Sequence, residues 1–120
     1  IPNTVTTIEE SAFDTMEKLV TIKLPNSMKS LSDNLFAYCT ALENVTLPSD
    51  LEVIGRKTFY SCESLLDITL PGSVKEIGYH AFELCSNLET IHFDGSVEDF
   101  NKINTRESGI PSSVTIICKE

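Results

Sequence analysis

Apolar side chains recur at intervals of 23 residues along the chain, separated by polar positions that vary. A proline keeps the same interval, and its four copies are Pro2, Pro25, Pro48 and Pro71. Six apolar columns run beside it, and they begin at Ile1, Val5, Ile8, Phe13, Leu19 and Ile22. If the chain has no insertions, Val114 is the last member of the column that begins at Ile22, and Ile116 is the last member of the column that begins at Ile1. A fixed period with fixed apolar slots predicts a solenoid, in which each coil buries its apolar side against its neighbours.

Each repeat contains a short alternating segment that predicts a β-strand. In the copy that covers residues 67–70, Ile68 and Leu70 are predicted to point inward, while Asp67 and Thr69 point outward. Pro71 follows at once and ends the strand, because proline has no N–H to donate to a ladder. Equivalent strands of successive coils are expected to stack about 4.8 Å apart.

A second apolar segment follows the proline in each repeat. Val74 and Ile77 precede Gly78, and an Ala-Phe-x-x-Cys pattern then runs from Ala81 to Cys85. The i, i+1, i+4 spacing of that pattern favours one or two helical turns on the outer side of the coil. Glycine at the boundary is typical of a change from one element to the next.

The last part of the chain departs from the pattern. Thr105 and Ser108 fall where the 23-residue register expects phenylalanine and cysteine. Residues 96–99 resemble a capping box at a helix start, and a final strand is predicted from Val114 to Ile117. We therefore predict four full coils over residues 1–92 and an atypical fifth coil over 93–120 that acts as a C-terminal cap. Because the chain opens in the middle of a repeat, we interpret it as part of a longer protein.

The repeat resembles the BspA-like class of leucine-rich repeats. The resemblance rests on the unit L-P-x-S-V-x-x-I-G-x-x-A-F-x-x-C-x-x-L-x-x-I-x, which is most complete between Leu70 and His92. Glu9 and Ser32 replace its glycine in the first two coils, and Met16 replaces its cysteine in the first. The resemblance implies an α/β leucine-rich-repeat solenoid: a right-handed horseshoe with short parallel strands on the concave side and short helical turns outside.

The resemblance also implies a location and a role. Members of this class are surface or secreted proteins of bacteria or protozoa and are associated with adhesion to host proteins and other cells. We therefore expect an extracellular binding module for a protein or glycan of a host or neighbouring cell. A structural spacer or stalk without a ligand of its own remains the alternative. We expect the protein to be monomeric or weakly self-associating.

Charge and composition narrow the partners further. The 120 residues carry a net charge of −9, with 41% hydrophobic and 22% charged residues. An acidic chain disfavours nucleic acids and anionic membrane surfaces, which both attract clusters of Lys and Arg. No stretch approaches the roughly 20 apolar residues of a membrane span, so direct membrane insertion is not expected.

The residues that most often carry chemistry do not form a recognisable site. Cys39, Cys62 and Cys85 share one column, and because their number is odd we predict reduced, buried packing groups rather than a disulfide framework. Cys118 belongs to the last predicted strand, and its thiol is expected to be either free or core-facing. The two histidines, His80 and His92, fall in different parts of the repeat, and no zinc, nucleophile or phosphate-loop motif is present. We predict no enzyme activity, no metal and no cofactor.

The outward positions of the concave strands are the candidate binding residues. Only one of the 18 acidic residues falls among them, so a nearly neutral face is expected inside an acidic shell. Threonine is also a good former of exposed strands, so its presence alone does not separate binding from structure. The candidates are Thr21, Lys23, Asn44, Thr46, Asp67, Thr69, Thr90 and His92.

Overall fold

The computed structural model describes residues 4–119. Ile1 and Pro2, the first members of two predicted columns, lie outside the described residues. Eight strands and one helix occur in the described part. They are β1 Thr21–Lys23, β2 Ser30–Leu31, β3 Asn44–Thr46, β4 Val53–Ile54, β5 Asp67–Pro71, β6 Glu76–Ile77, β7 Thr90–Asp94, α1 Val97–Asn101 and β8 Thr115–Cys118.

Each coil has three sides, and all strand pairings between coils are parallel. One side carries β1, β3, β5, β7 and β8, and we call its solvent side the strand face. A second sheet, in the order β2-β4-β6, follows the proline of each repeat. The third side, the turn face, consists of segments 9–16, 32–39, 55–62 and 78–85. The stacked parallel coils confirm a solenoid, whereas a horseshoe curvature is not confirmed.

The second sheet was not foreseen from the sequence. Its register joins Leu31 to Ile54 and Ile54 to Ile77, one repeat apart. Gly55 and Gly78 directly follow β4 and β6, so glycine stands at a boundary between two elements, as predicted. A Cβ on Gly55 would lie 2.6 Å from the Leu31 carbonyl oxygen, so the coils approach each other closely here.

The helical turns predicted for the outer side are not confirmed, because the turn face is built from successive tight turns. Within one segment the N–H of Ala37 bonds back three residues to the carbonyl of Asn34, and Cys39 bonds back to Phe36. The intervening N–H of Phe36 instead donates to Thr58 of the next coil at 2.8 Å. Each segment has two non-glycine residues at positive φ, which no helix contains. They are Ser11 and Thr15, Asn34 and Tyr38, Lys57 and Ser61, and His80 and Leu84.

The predicted stacking of equivalent side chains is confirmed in the core. The ring centroids of Phe13 and Phe36 are 5.5 Å apart, those of Phe36 and Phe59 5.6 Å, and those of Phe59 and Phe82 5.3 Å. The rings are nearly parallel, with interplanar angles of 10° to 15°. Phe36, Phe59 and Phe82 are fully buried, so the column runs along the interior of the solenoid.

The predicted register of the last strand is wrong by two residues. Ile91 pairs with Ile116 and Phe93 with Cys118, so the last coil advances by 25 residues rather than 23. Both registers place apolar residues inward, because side chains of a strand alternate with a period of two. Ile116 therefore belongs to the column that contains Ile91, and Val114 precedes the strand.

The segment before that strand supplies the extra length. Ser96 caps α1 by accepting a hydrogen bond from the N–H of Asp99 at 3.0 Å, as the sequence predicted. Ser108 is buried, and its hydroxyl donates to the carbonyl of Thr105 within the same turn. In a regular coil, the cysteine at this slot donates to a backbone carbonyl of the preceding coil. Ser108 does not make this contact.

Candidate binding face

All eight candidate residues project from the strand face. The register aligns Thr21 with Asn44 and Lys23 with Thr46 in β1 and β3. In β5 and β7 it aligns Asp67 with Thr90 and Thr69 with His92. Six are exposed, while Thr90 and His92 are half-buried. The two predicted columns therefore exist within each pair of strands, one repeat apart.

The last strand adds two residues to the eight candidates. Thr90 pairs with Thr115 and His92 with Ile117, so both columns continue onto β8. Ile117 is 48% exposed and gives this end of the strand face an apolar side chain. The alternation of apolar and polar residues in 115–118 was the signal for these positions, but the 23-residue register obscured it.

The strand face is not one continuous sheet. Strands β1 and β3 form one sheet, and β5, β7 and β8 form another. Between β1 and β3, the N–H of Leu24 donates to the carbonyl of Thr46 at 3.0 Å, but Leu47 makes no equivalent bond to Thr69. The second sheet and the turn face remain bonded across the same boundary. We call this interruption the β3–β5 break.

A groove of about 530 Å³ lies at the β3–β5 break. Two of the candidate residues, Thr46 and Thr69, line it. The other lining residues were not among the candidates, because they belong to the apolar columns, to the ends of β5 and β7 or to the turns that follow the strands. These are Val45, Leu47, Ser49, Pro71, Gly72 and Asp94.

The column cysteines are buried packing groups, as predicted. Among the described residues all four cysteines are free, and Cys118 is half-buried against the core. Burial raises the pKa of the Cys39 and Cys62 thiols, and it raises the pKa of Cys85 to about 12. These thiols therefore stay protonated at neutral pH and are poor nucleophiles.

The histidine on the turn face has a polar neighbour. His80 Nδ1 is buried without a hydrogen-bond partner and lies 3.8 Å from Glu83 Oε2. The His80 ring packs against Tyr79, with 3.7 Å between the ring centroids. Within residues 4–119, no group of three or more His, Cys, Asp or Glu side chains converges to hold a metal ion. In the same range, no helix has the length and apolar character needed to cross a bilayer.

Comparisons with known proteins agree with this architecture. The sequence profile of the BspA type leucine rich repeat region matches residues 1–106 with six copies. A leucine rich cell surface protein from Faecalibacterium prausnitzii A2-165 is similar in structure, with 27% identity and a TM-score of 0.73 over 93% of this chain. A leucine rich repeat protein of T. pallidum has 28% identity and a TM-score of 0.57, also over 93%. A comparison with curated proteins gives no significant match.

A third similar structure is a leucine-rich repeat protein from Bacteroides capillosus ATCC 29799, with 26% identity and a TM-score of 0.58 over 97% of this chain. The chain spans only part of each of these proteins. It covers 35% of the F. prausnitzii protein, 66% of the T. pallidum protein and 64% of the B. capillosus protein. The likeness therefore describes a stretch of repeats within longer repeat proteins.

Proposed function

This chain belongs to the BspA-type leucine-rich repeat family, and from that membership we propose that it is an extracellular binding module. It acts at the cell surface or as a secreted protein, and its partner is a protein or glycan of a host or neighbouring cell. The strand face makes the contact. The role is recognition rather than catalysis.

The observation that carries this proposal is the composition of the strand face. In a chain with a net charge of −9, the eight candidate residues include one acid and one lysine. Thr21, Asn44, Thr46 and Thr69 are exposed there, and each offers a side-chain donor and acceptor. Such groups form many modest hydrogen bonds over an extended surface without a large cost of desolvating charge.

The location rests on similarity. The F. prausnitzii protein is described as a cell surface protein, and it aligns with 93% of this chain. Three of the four free cysteines are buried, and buried thiols resist oxidation. They are therefore compatible with the oxidising environment outside the cell as well as with the reducing environment inside it. The cysteines therefore do not argue against an extracellular location.

The test is a binding screen with the purified chain. Immobilised chain is exposed to extracellular matrix proteins and to a glycan array, and saturable binding is measured by biolayer interferometry. A combined variant, Thr21→Ala, Asn44→Ala, Thr69→Ala and Thr90→Ala, is expected to weaken binding at least tenfold, since each lost hydrogen bond contributes about 1 kcal/mol. Its melting temperature should stay within a few degrees of the parent.

A matched control comes from the turn face. Tyr38→Ala and Leu84→Ala remove side chains that are 48% and 55% exposed and lie away from the strand face. This variant should bind as the parent does. If no ligand binds saturably, the chain is a spacer, and if the turn-face variant alone loses binding, the wrong side has been assigned.

A further inference from the structure

The β3–β5 break leaves backbone groups of two neighbouring strands without the partners that their equivalents have. In the adjacent coils, the N–H groups of Glu89 and Thr90 both donate to the carbonyl of Leu66. At the break, Leu66 and Asp67 make no such bond to Glu43. At the other end of the two strands, the N–H of Leu47 and the carbonyl of Thr69 also lack the bond that Leu24 makes to Thr46, and both residues line the groove. Such groups need a partner from water or a ligand.

The break is too narrow to accept another strand. A strand inserted between β3 and β5 requires them to lie about 9.6 Å apart, twice the spacing of paired strands. Cα atoms of β3 and β5 approach within 8 Å. Addition of a peptide strand is therefore excluded at this position, and a ligand must reach the backbone groups from the solvent side.

The lining of the groove defines the chemistry of that ligand. Hydroxyl groups of Thr46, Ser49 and Thr69 stand beside half-buried Val45, which gives the floor an apolar part. Of the described residues that line the groove, Asp94 alone is charged. A carboxylate there, in a chain of net charge −9, repels anionic ligands.

We infer that the groove at the β3–β5 break binds a neutral oligosaccharide. A pyranose ring carries closely spaced hydroxyls, which match the backbone N–H of Leu47, the carbonyl of Thr69, the threonine hydroxyls and a carboxylate acceptor. Its C–H face matches the apolar floor. The volume of about 530 Å³ lies within the range of small-ligand sites. This inference rests on the proposed function and specifies the ligand class and the centre of the strand face.

The experiment is a titration of ¹⁵N-labelled chain, followed by amide chemical shifts. The probes are lactose, N-acetyllactosamine, maltotriose and mannobiose, with 3′-sialyllactose as the anionic comparison, each taken into the tens of millimolar. At least one neutral probe is expected to shift amides of residues 45–47, 49, 69, 72 and 94. Shifts elsewhere only, no shift with any neutral probe, or tighter binding of 3′-sialyllactose than of lactose would each overturn the inference.

Variants separate the groove from the rest of the surface. Thr46→Val and Thr69→Val remove one hydroxyl each and are expected to weaken the neutral probe about threefold to tenfold per substitution. Thr6→Val and Thr7→Val alter exposed threonines that lie outside both the strand face and the groove, and they should leave the affinity unchanged. The reverse result would place the sugar elsewhere and overturn the inference.

The two proposals fail differently. If the combined alanine variant loses a macromolecular partner while every saccharide is inert, the groove inference is wrong and the proposed function stands. If a neutral saccharide shifts the groove while no macromolecule binds, the groove inference stands and the proposed macromolecular partner does not.

Discussion

The Sγ of Cys62 donates a hydrogen bond to the carbonyl oxygen of Phe36, one coil earlier, at 3.2 Å. The same relationship joins Cys39 to Phe13 at 3.1 Å and Cys85 to Phe59 at 3.0 Å. Each thiol thus satisfies a buried carbonyl of the preceding coil while it packs beside the phenylalanine column. The cysteine slot therefore connects neighbouring coils.

The first prediction concerns thiol reactivity. In the native protein, Ellman's reagent should modify Cys118 readily, because it is the cysteine that is only half-buried. Cys39, Cys62 and Cys85 should react only after unfolding, which brings the total to four. A Cys118→Ser variant serves as the control and should show almost no native reaction. Rapid modification of that variant would mean that the column cysteines are accessible.

The raised pKa values predict loss of stability at alkaline pH. Below the ordinary thiol pKa of 9.0, Cys85 is protonated in both the folded and the unfolded chain. As the pH rises from 9 toward the folded pKa of about 12, only the unfolded chain ionises, so the free energy of unfolding falls. The expected loss is a few kcal/mol, since each pKa unit corresponds to about 1.4 kcal/mol.

The measurement is urea unfolding at several pH values between 8 and 11. Tyrosine and lysine also titrate in this range, so Cys85→Ala provides the comparison. The variant should be less stable at pH 8 but should lose less stability on going to pH 11. Parallel curves for the parent and the variant would contradict the assignment to Cys85.

The phenylalanine column predicts a position-dependent cost of truncation. Phe59 is fully buried between the rings of Phe36 and Phe82, so Phe59→Ala should cost about 3 to 5 kcal/mol. Phe13 is half-buried and, among the described residues, stacks on Phe36 alone, so Phe13→Ala should cost clearly less. Denaturant midpoints measure both variants, and equal losses would show that stacking between coils is not the main contribution.

The close approach of coils at Gly55 predicts that even one methyl group destabilises the array. A Cβ there would lie 2.6 Å from the Leu31 carbonyl oxygen and 2.9 Å from the Asp33 nitrogen, and both are backbone atoms. Gly55→Ala should therefore cost about 1 to 3 kcal/mol in thermal or urea unfolding.

The equivalent residue of the preceding coil supplies the control for this prediction. Ser32 already carries a Cβ, and its hydroxyl donates to the carbonyl of Ile8. Ser32→Ala should lose only that bond, about 1 kcal/mol. A Gly55→Ala variant as stable as the parent would mean that the coils separate here without cost.

The periodicity predicted most of what depends on side-chain direction. The column that contains Phe36, Phe59 and Phe82 appears in the structure as predicted, because equivalent residues of equal-length coils must lie above one another. The same argument predicted which residues of β1, β3, β5 and β7 face solvent.

The structure differs from the sequence prediction where backbone conformation, rather than the side-chain pattern, determines the local structure. Tyr38, Ser61 and Leu84 adopt positive φ although none of them is glycine, so the sequence does not indicate it. The Ala-Phe-x-x-Cys spacing around them fits a helical turn equally well. The length of the last coil could not be predicted, because Val114 and Ile116 are both apolar and the side-chain pattern excludes neither register. The β3–β5 break has no sequence signal, since Thr46 and Thr69 occupy equivalent slots on its two sides.

The interruption of the strand face has a mechanical consequence. Between the second and third coils, the second sheet and the turn face carry hydrogen bonds, but the strand face does not. On the strand face, bonds join the first coil to the second and the third coil to the fourth. We therefore expect the bending stiffness at that boundary to be lowest toward the unbonded side. Under load we expect the two halves to pivot there first, about the two bonded sides.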